Sequence, residues 1–327
     1  VKILLLHPGG LGDCILSLPA VRLLRARFPS AEVTVAGNLD HLGAILSGYA
    51  ERVISLSSLP LHHLYSSGPL PPEEVHFWLS FDPIVSWTGS GNPEYVRKIK
   101  EIHPHAFVAS WKPERDETRH VSQLFADSIE SVIHSGGPVE PAAVFLNQAL
   151  RKEGMLWLAQ RGWENMDSLT ALHPGAGSAA KRWPLNRFTD LALHYVLKEK
   201  RKLLVIEGPA ETGLAKQITG GLPANSAILA ELLPLGLLAA VVEQCRLFIG
   251  NDSGIAHLAA ALQVPSVVLF GPTLPRHWAP LGRHVRVLRN PQGCEGCARG
   301  VQTHTCLENI TVQDVIQNSL ALQIRHA

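Results

Sequence analysis

The chain is predicted to be an α/β protein of two tandem domains, each built on a parallel sheet, and three features predict it. A short apolar strand runs into a glycine turn and a helix twice: Lys2-Ile3-Leu4-Leu5-Leu6 before His7-Pro8-Gly9-Gly10, and Ser168-Leu169-Thr170-Ala171-Leu172 before His173-Pro174-Gly175. Later strands are continuously apolar, as in Leu203-Leu204-Val205-Ile206 and Val267-Val268-Leu269-Phe270. Such strands belong in sheets covered on both faces by helices. At 327 residues the chain can also supply two separate cores.

Taken in order, Lys2–Leu6 reads as a buried strand and the helix after its turn runs from about Cys14 to Arg27, where Pro29 stops it. Glu32-Val33-Thr34-Val35-Ala36 is the next strand, closed by Gly37-Asn38. Strand, helix and strand in so short a span form a βαβ unit. Ser55–Ser58, Ser66–Pro69 and Pro71-Pro72 read as loops, and so does Gly136–Pro141. A helix around Leu150–Arg161 closes a first domain spanning residues 1–163. In the second domain, residues 164–310, Phe188, Leu191, Ala192, Tyr195 and Val196 share one helix face. Strands follow at Leu203–Ile206, Leu247–Ile249 and Val267–Phe270. Thr311-x-x-Asp314 opens a terminal helix in 311–327 like a capping box, and that helix is a candidate to pack back on the first domain. Two tandem βα domains with a terminal helix is the GT-B layout: two Rossmann-like domains whose strand ends would face each other across a cleft.

Composition narrows the function. Charged residues make up 17% and hydrophobic ones 46%, a folded globular balance. The formal net charge of +1 gives no electrostatic case for a nucleic-acid partner. The apolar N-terminal run is too short for a signal-peptide core, and the stretch Ile228–Val242 is broken by Glu231, Pro234 and Gly236. A cytoplasmic protein is expected, one that can still work at a membrane surface. Five cysteines without a secretory signal argue against a disulfide framework. Cys294, Cys297 and Cys306 with His304 have a metal-like look, but His304 lies awkwardly close to Cys306. Reduced thiols are the preferred reading, and neither a metal nor a cofactor is expected.

Four segments can carry chemistry. Gly9-Gly10-Leu11-Gly12-Asp13 lets backbone approach a ligand beside a helix N-terminus. It is not a dinucleotide fingerprint, because Ile15 stands where the third glycine belongs and no acid ends the second strand. Asp13 is open to two readings, a helix cap or a catalytic carboxylate. His173-Pro174-Gly175-Ala176-Gly177-Ser178-Ala179-Ala180-Lys181-Arg182-Trp183-Pro184 is either an anion-binding turn with two cations or a tight turn with two solvated ones, and Trp183-Pro184 argues against mere solvation. Glu207 follows an apolar strand, either as a hydroxyl acceptor or as an exposed loop acid. Gly250-Asn251-Asp252-Ser253-Gly254-Ile255-Ala256-His257 is either a substrate loop or a capped helix start with a buried histidine.

In their order and spacing these segments resemble glycosyltransferase family 9, the ADP-heptose:lipopolysaccharide heptosyltransferases. The matching positions are residues 9–13, 173–184, Glu207 and 251–257, and the tail Cys294-x2-Cys297-x8-Cys306 is also similar. The resemblance is weakest over residues 55–165. It implies a metal-independent, inverting transfer of heptose from ADP-heptose to the lipopolysaccharide inner core. Asp13 would then be the general base and Lys181 the cation neutralising the diphosphate. Glu207 and Asp252 would hold hydroxyls, while Gly175, Gly177, Ser178, Ser253, Gly254 and His257 would line the donor. Gly10 and Gly12 would form the acceptor-side loop, and Ile228–Leu233 would pack near the base. Arg97, Lys98, Lys100, Lys112, Arg115, Arg119 and His120 are candidates to meet the anionic acceptor. The expected partners are ADP-heptose or another nucleotide sugar, the lipopolysaccharide core and, peripherally, the inner-membrane surface. The competing readings are a transferase or epimerase acting on another nucleotide sugar, and an inactive sugar-nucleotide-binding module.

Overall fold

The computed structural model describes the chain except residues 115, 135–136, 142, 164–168, 210, 291–293, 295–304 and 324–327. Two compact units divide it, Val1–Phe145 and Leu146–Ala327.

The first unit contains β1 (Lys2–Leu6), α1 (Leu11–Arg27), β2 (Glu32–Gly37), α2 (Leu39–Ile45) and β3 (Arg52–Ser55). It continues with α3 (His62–Tyr65), α4 (Pro72–Leu79), β4 (Ile84–Ser86), α5 (Pro93–Ile102), β5 (Ala106–Val108), α6 (Val121–Asp127) and α7 (Glu130–Ile133). Its sheet has the order β3-β2-β1-β4-β5, with every pair parallel. Successive side chains of a strand point to opposite faces. Leu4 and Leu6 accordingly join Trp78, Tyr95 and Ile99 in one core cluster. Helix α1 packs on α6. Both faces of β1 are closed, so Ile3 to Leu6 are all fully buried.

The second unit contains α8 (Gln148–Ala159), β6 (Leu169–His173), α9 (Leu185–Leu197), β7 (Lys202–Glu207), α10 (Leu214–Gly220) and β8 (Ala227–Glu231). After these come α11 (Leu235–Val242), β9 (Leu247–Asn251), α12 (Gly254–Ala261), β10 (Ser266–Phe270), α13 (Pro275–Trp278), β11 (Val285–Arg289) and α14 (Val312–Gln323). Its sheet has the order β11-β10-β9-β6-β7-β8, again all parallel. Trp183, Phe188 and Tyr195 lead the cluster under one face.

Two placements differ from the sequence reading. Helix α8 lies in the second unit, because it packs on α11: a Cβ at Gly154 would strike the backbone and Cβ of Ala240 at 2.8 Å. The terminal helix α14 falls in the second unit. It packs on α9, β10 and β11 of its own unit, through buried Val315, Ile316 and Leu322.

Candidate active site

In each sheet the chain starts in the middle, builds one side and then crosses to the other. The crossing falls between β1 and β4 in the first unit and between β6 and β9 in the second. Crevices outside the carboxyl ends of such strands are where open α/β sheets bind ligands. All but one of the four motifs open at these two points; Glu207 ends the neighbouring strand β7.

In the first unit the turn from His7 to Gly10 leads into α1, whose first turn carries Asp13. The Gly10 N–H donates to Asp13 Oδ2 at 2.9 Å. Gly9 is required by close approach, since a Cβ there would lie 2.5 Å from Asp13 Cβ and 2.7 Å from His7 Cε1. A Cβ on Gly10 would meet only Asp13 Oδ2, at 3.8 Å. Asp13 and the turn line a cavity of about 410 Å³, completed by Trp87–Gly91 after β4 and Ser110–Lys112 after β5. The Asp13 carboxylate caps the helix through Gly10 and also lines the pocket. Gly10 lines that pocket and Gly12 does not. On the far wall Gly89 adopts φ +75° with the Tyr95 ring against it, a site only glycine fills.

The cation candidates separate in the structure. Lys112 lines the pocket, its ammonium 5.7 Å from the Trp111 ring centre. Lys98 is a correction: it is buried and donates to the carbonyls of His63, Ser66 and Gly68, so it pins the Ser- and Pro-rich segment instead of facing an acceptor. Arg97 is paired with Glu94 and Glu101, and Arg119 with Glu117 and Asp127. His120 caps α6, accepting the Ser122 N–H, and Lys100 is exposed. Arg115 lies outside the described residues. One group of possible metal ligands occurs among the described residues, His62, His63 and Glu74; its His63 Nδ1 and Glu74 Oε1 are hydrogen bonded at 2.7 Å.

In the second unit Lys181 Nζ meets Asp252 Oδ2 at 2.8 Å, and the Thr273 hydroxyl donates to the same oxygen. Ser253 caps α12 through the Ala256 N–H, placing Gly254 at the helix start and His257 one turn on, buried. His173 bridges the two loops, with Nδ1 3.2 Å from Ser253 Oγ and Nε2 3.0 Å from Glu211 Oε1. Burial works against ionising Glu211, but its hydrogen bond to His173, that ring's charge and the Gly208 N–H outweigh it and hold the carboxyl below its usual range. Gly175 is needed here, because a Cβ would collide with the Glu211 carboxyl. Gly177 faces open space, and Ser178 precedes the single turn that carries Lys181. Fully buried Asn251 accepts the Trp183 N–H and donates to the carbonyls of Pro174 and Gly175. One amide therefore holds both ends of the Pro174–Trp183 loop.

Glu207 is buried, and its two oxygens accept the Gly213 and Ala215 N–H groups at 2.8 Å each, which caps α10. Ile228 and Ala230 are buried in the edge strand β8. Cys294 and Cys306 bring their sulfurs to 3.0 Å, while Cys297 and His304 lie outside the described residues. Glu211, Asn251 and Thr273 escape the sequence reading as roles, although Asn251 sits inside a quoted motif.

Known proteins share this architecture. The chain superimposes on the glycosyltransferase family 9 structure from Veillonella parvula with TM-score 0.82 at 21% identity, covering 99% of this chain and 97% of that one. Escherichia coli ADP-heptose lps heptosyltransferase II gives TM-score 0.75 at 21% identity, covering 100% and 99%. The protein has the GT-B fold, with two Rossmann-like halves.

The family profile described as glycosyltransferase family 9 (heptosyltransferase) matches residues 145–307. Lipopolysaccharide heptosyltransferase 2 of E. coli K12 is 31% identical over 99% of both chains. Its Salmonella typhimurium counterpart is 30% identical over 97% of both. The chain belongs to glycosyltransferase family 9, the heptosyltransferase family. Among its described residues no helix is long and apolar enough to cross a membrane.

Proposed function

We propose that the protein transfers a heptose from ADP-heptose to the inner core of lipopolysaccharide, with inversion at the anomeric carbon and without a metal. The observation that carries this reading is Asp13, a carboxylate held by the Gly10 N–H on the wall of a sugar-sized pocket. The acceptor hydroxyl binds there and gives its proton to Asp13 as its oxygen attacks the anomeric carbon from the face opposite ADP. That geometry needs the reacting atoms about 3–3.5 Å apart.

The leaving diphosphate gathers negative charge, and the second unit's switch point is built to receive it. An ammonium has three donors; Lys181 spends one on Asp252, which leaves two for phosphate oxygens. The N–H groups at the start of α12, beside Ser253 and Gly254, add the positive end of a helix dipole. Ser178, Gly175 and Gly177 shape the loop around the diphosphate, and His257 supports it from within the helix. Asp252 and Glu207 accept sugar or ribose hydroxyls through lone pairs their protein partners leave over. The names of the relatives, heptosyltransferase 2, support heptose as the sugar and lipopolysaccharide as the acceptor. A lipid-anchored acceptor places the work at the cytoplasmic face of the inner membrane.

The test is transfer from ADP-heptose to lipopolysaccharide with a truncated core, followed by mass spectrometry and by NMR of the new anomeric centre. Asp13→Asn is expected to abolish transfer while the thermal shift produced by ADP stays unchanged. Full transfer by Asp13→Asn, or a product of retained configuration, overturns the mechanism. Transfer from UDP- or GDP-sugars in preference to ADP-heptose overturns the donor.

A further inference from the structure

The transfer chemistry makes no use of His7, and its surroundings suggest a role for it. His7 follows β1 at the first unit's switch point and is 1% exposed. Its Nδ1 accepts the Gly9 N–H at 3.1 Å, so the ring proton sits on Nε2 and the imidazole is neutral. Burial reinforces this by pushing its pKa down to about 4. Nε2 is itself buried and has no hydrogen-bond partner among the described residues. A leucine or phenylalanine would fill the space without that cost, so a buried unsatisfied group here calls for a reason.

The reason lies in what the ring holds and what holds the ring. Phe125 stacks on it at 5.4 Å and Trp111 at 6.3 Å, while Trp87 meets it edge-on at 5.5 Å. Both tryptophans line the Asp13 pocket. The imidazole and Asp13 also flank one empty position, since a Cβ on Gly9 would touch both. Buried Cys14 adds a thiol 3.5 Å from Nδ1, with its other contact on the Gly9 carbonyl.

We infer that His7 is a positioning residue for Asp13: by accepting the Gly9 N–H it fixes the Gly9–Gly10 turn, whose Gly10 N–H aims the carboxylate into the pocket. This rests on Asp13 being the base. The neutral ring matters as well, because a fixed cation at this place would weaken that base.

Two variants separate hydrogen bonding from packing. His7→Phe keeps a ring and loses the acceptor; His7→Asn loses the ring but accepts the same N–H, as asparagine does in an Asx turn. His7→Phe is expected to lower kcat roughly ten- to a hundredfold, as small misplacements of catalytic groups do, with KM for ADP-heptose within about twofold. His7→Asn is expected to restore most of that kcat, even with a lower Tm. Wild-type turnover by His7→Phe, or an equal loss of kcat in both variants, overturns the inference. Asp13→Asn measured alongside tells the two failures apart. If Asp13→Asn still transfers, the base assignment falls; if it is inactive while His7→Phe is fully active, only the role of His7 falls.

Discussion

At the scale of single residues, the candidate site of the second unit is organised around charges that already have partners. Lys181 is about a third exposed in its side chain and anchored to the buried Asp252. Asp252 also takes the Thr273 hydroxyl, so it stays hydrogen bonded if the lysine is lost. Lys181→Met should therefore leave the unliganded protein within about 1 kcal/mol of wild type, since partly exposed ion pairs contribute little. Affinity for ADP should fall roughly ten- to a hundredfold, the worth of a hydrogen bond to a charged group. Calorimetric titration with ADP and a denaturant melt check the two halves, and equal affinity in the variant would remove Lys181 from the diphosphate site. Lys181 and Asp252 were legible because each sits in a polar run directly after an apolar strand. Glu211 and Thr273 were not legible, because each acts on a loop far away in sequence. Lys98 misled for the opposite reason. It lies on a helix with a strongly charged face, where a lysine normally reaches solvent, yet the carbonyls of His63, Ser66 and Gly68 draw it inward.

Among elements, strands were read closely and helix starts less so. β1 and β7 fall within a residue of their apolar runs, because a doubly covered parallel strand must be apolar throughout. Helix α1 begins at Leu11, three residues before the expected Cys14. Glycine lowers helix propensity without forbidding a first turn, and Asp13 stabilises that turn by reaching back to Gly10. Pro71-Pro72 read as a loop, but Pro72 opens α4, because proline at the first helical position forfeits no bond. Helix α10 begins after Gly213 in the left-handed region, with no cap from its own first residue. Glu207 supplies the cap from the end of β7. Glu207→Gln sets an amide nitrogen against one of the two N–H donors, and a loss of about 1–3 kcal/mol is expected from that mismatch. Denaturant unfolding reads the loss, and the ADP thermal shift shows whether the carboxylate also serves the ligand. A variant of unchanged stability would mean the cap carries no weight.

For the molecule as a whole, two units with separate cores need not unfold in a single transition. Acidification separates them through the neutral histidine of the first. The imidazole of His7 drops from the ordinary 6.5 to about 4, driven by burial and only partly opposed by the nearby backbone of Asp13 and His7. Burial likewise pushes His41 down, outweighing the charges of Asp40 and Asp13. Between those two values the unfolded chain takes up a proton that the folded unit refuses, so stability is full above the upper value and falls as pH drops toward the lower one. The lowered carboxyls of Glu51 and Glu211 act in a different window, because their stabilisation is lost only as pH falls below the ordinary carboxyl range. Moving from pH 7 to pH 5 should thus cost the first unit about 2 kcal/mol through His7 alone. Hydrogen exchange at β1 amides, followed across this range, isolates that unit from the other. His7→Phe has no proton to take up, so its exchange should lose most of the slope while keeping the remainder due to His41. If wild type and variant show the same slope, the ring is not held neutral by the fold, and the tautomer that ties it to Gly9 is wrong.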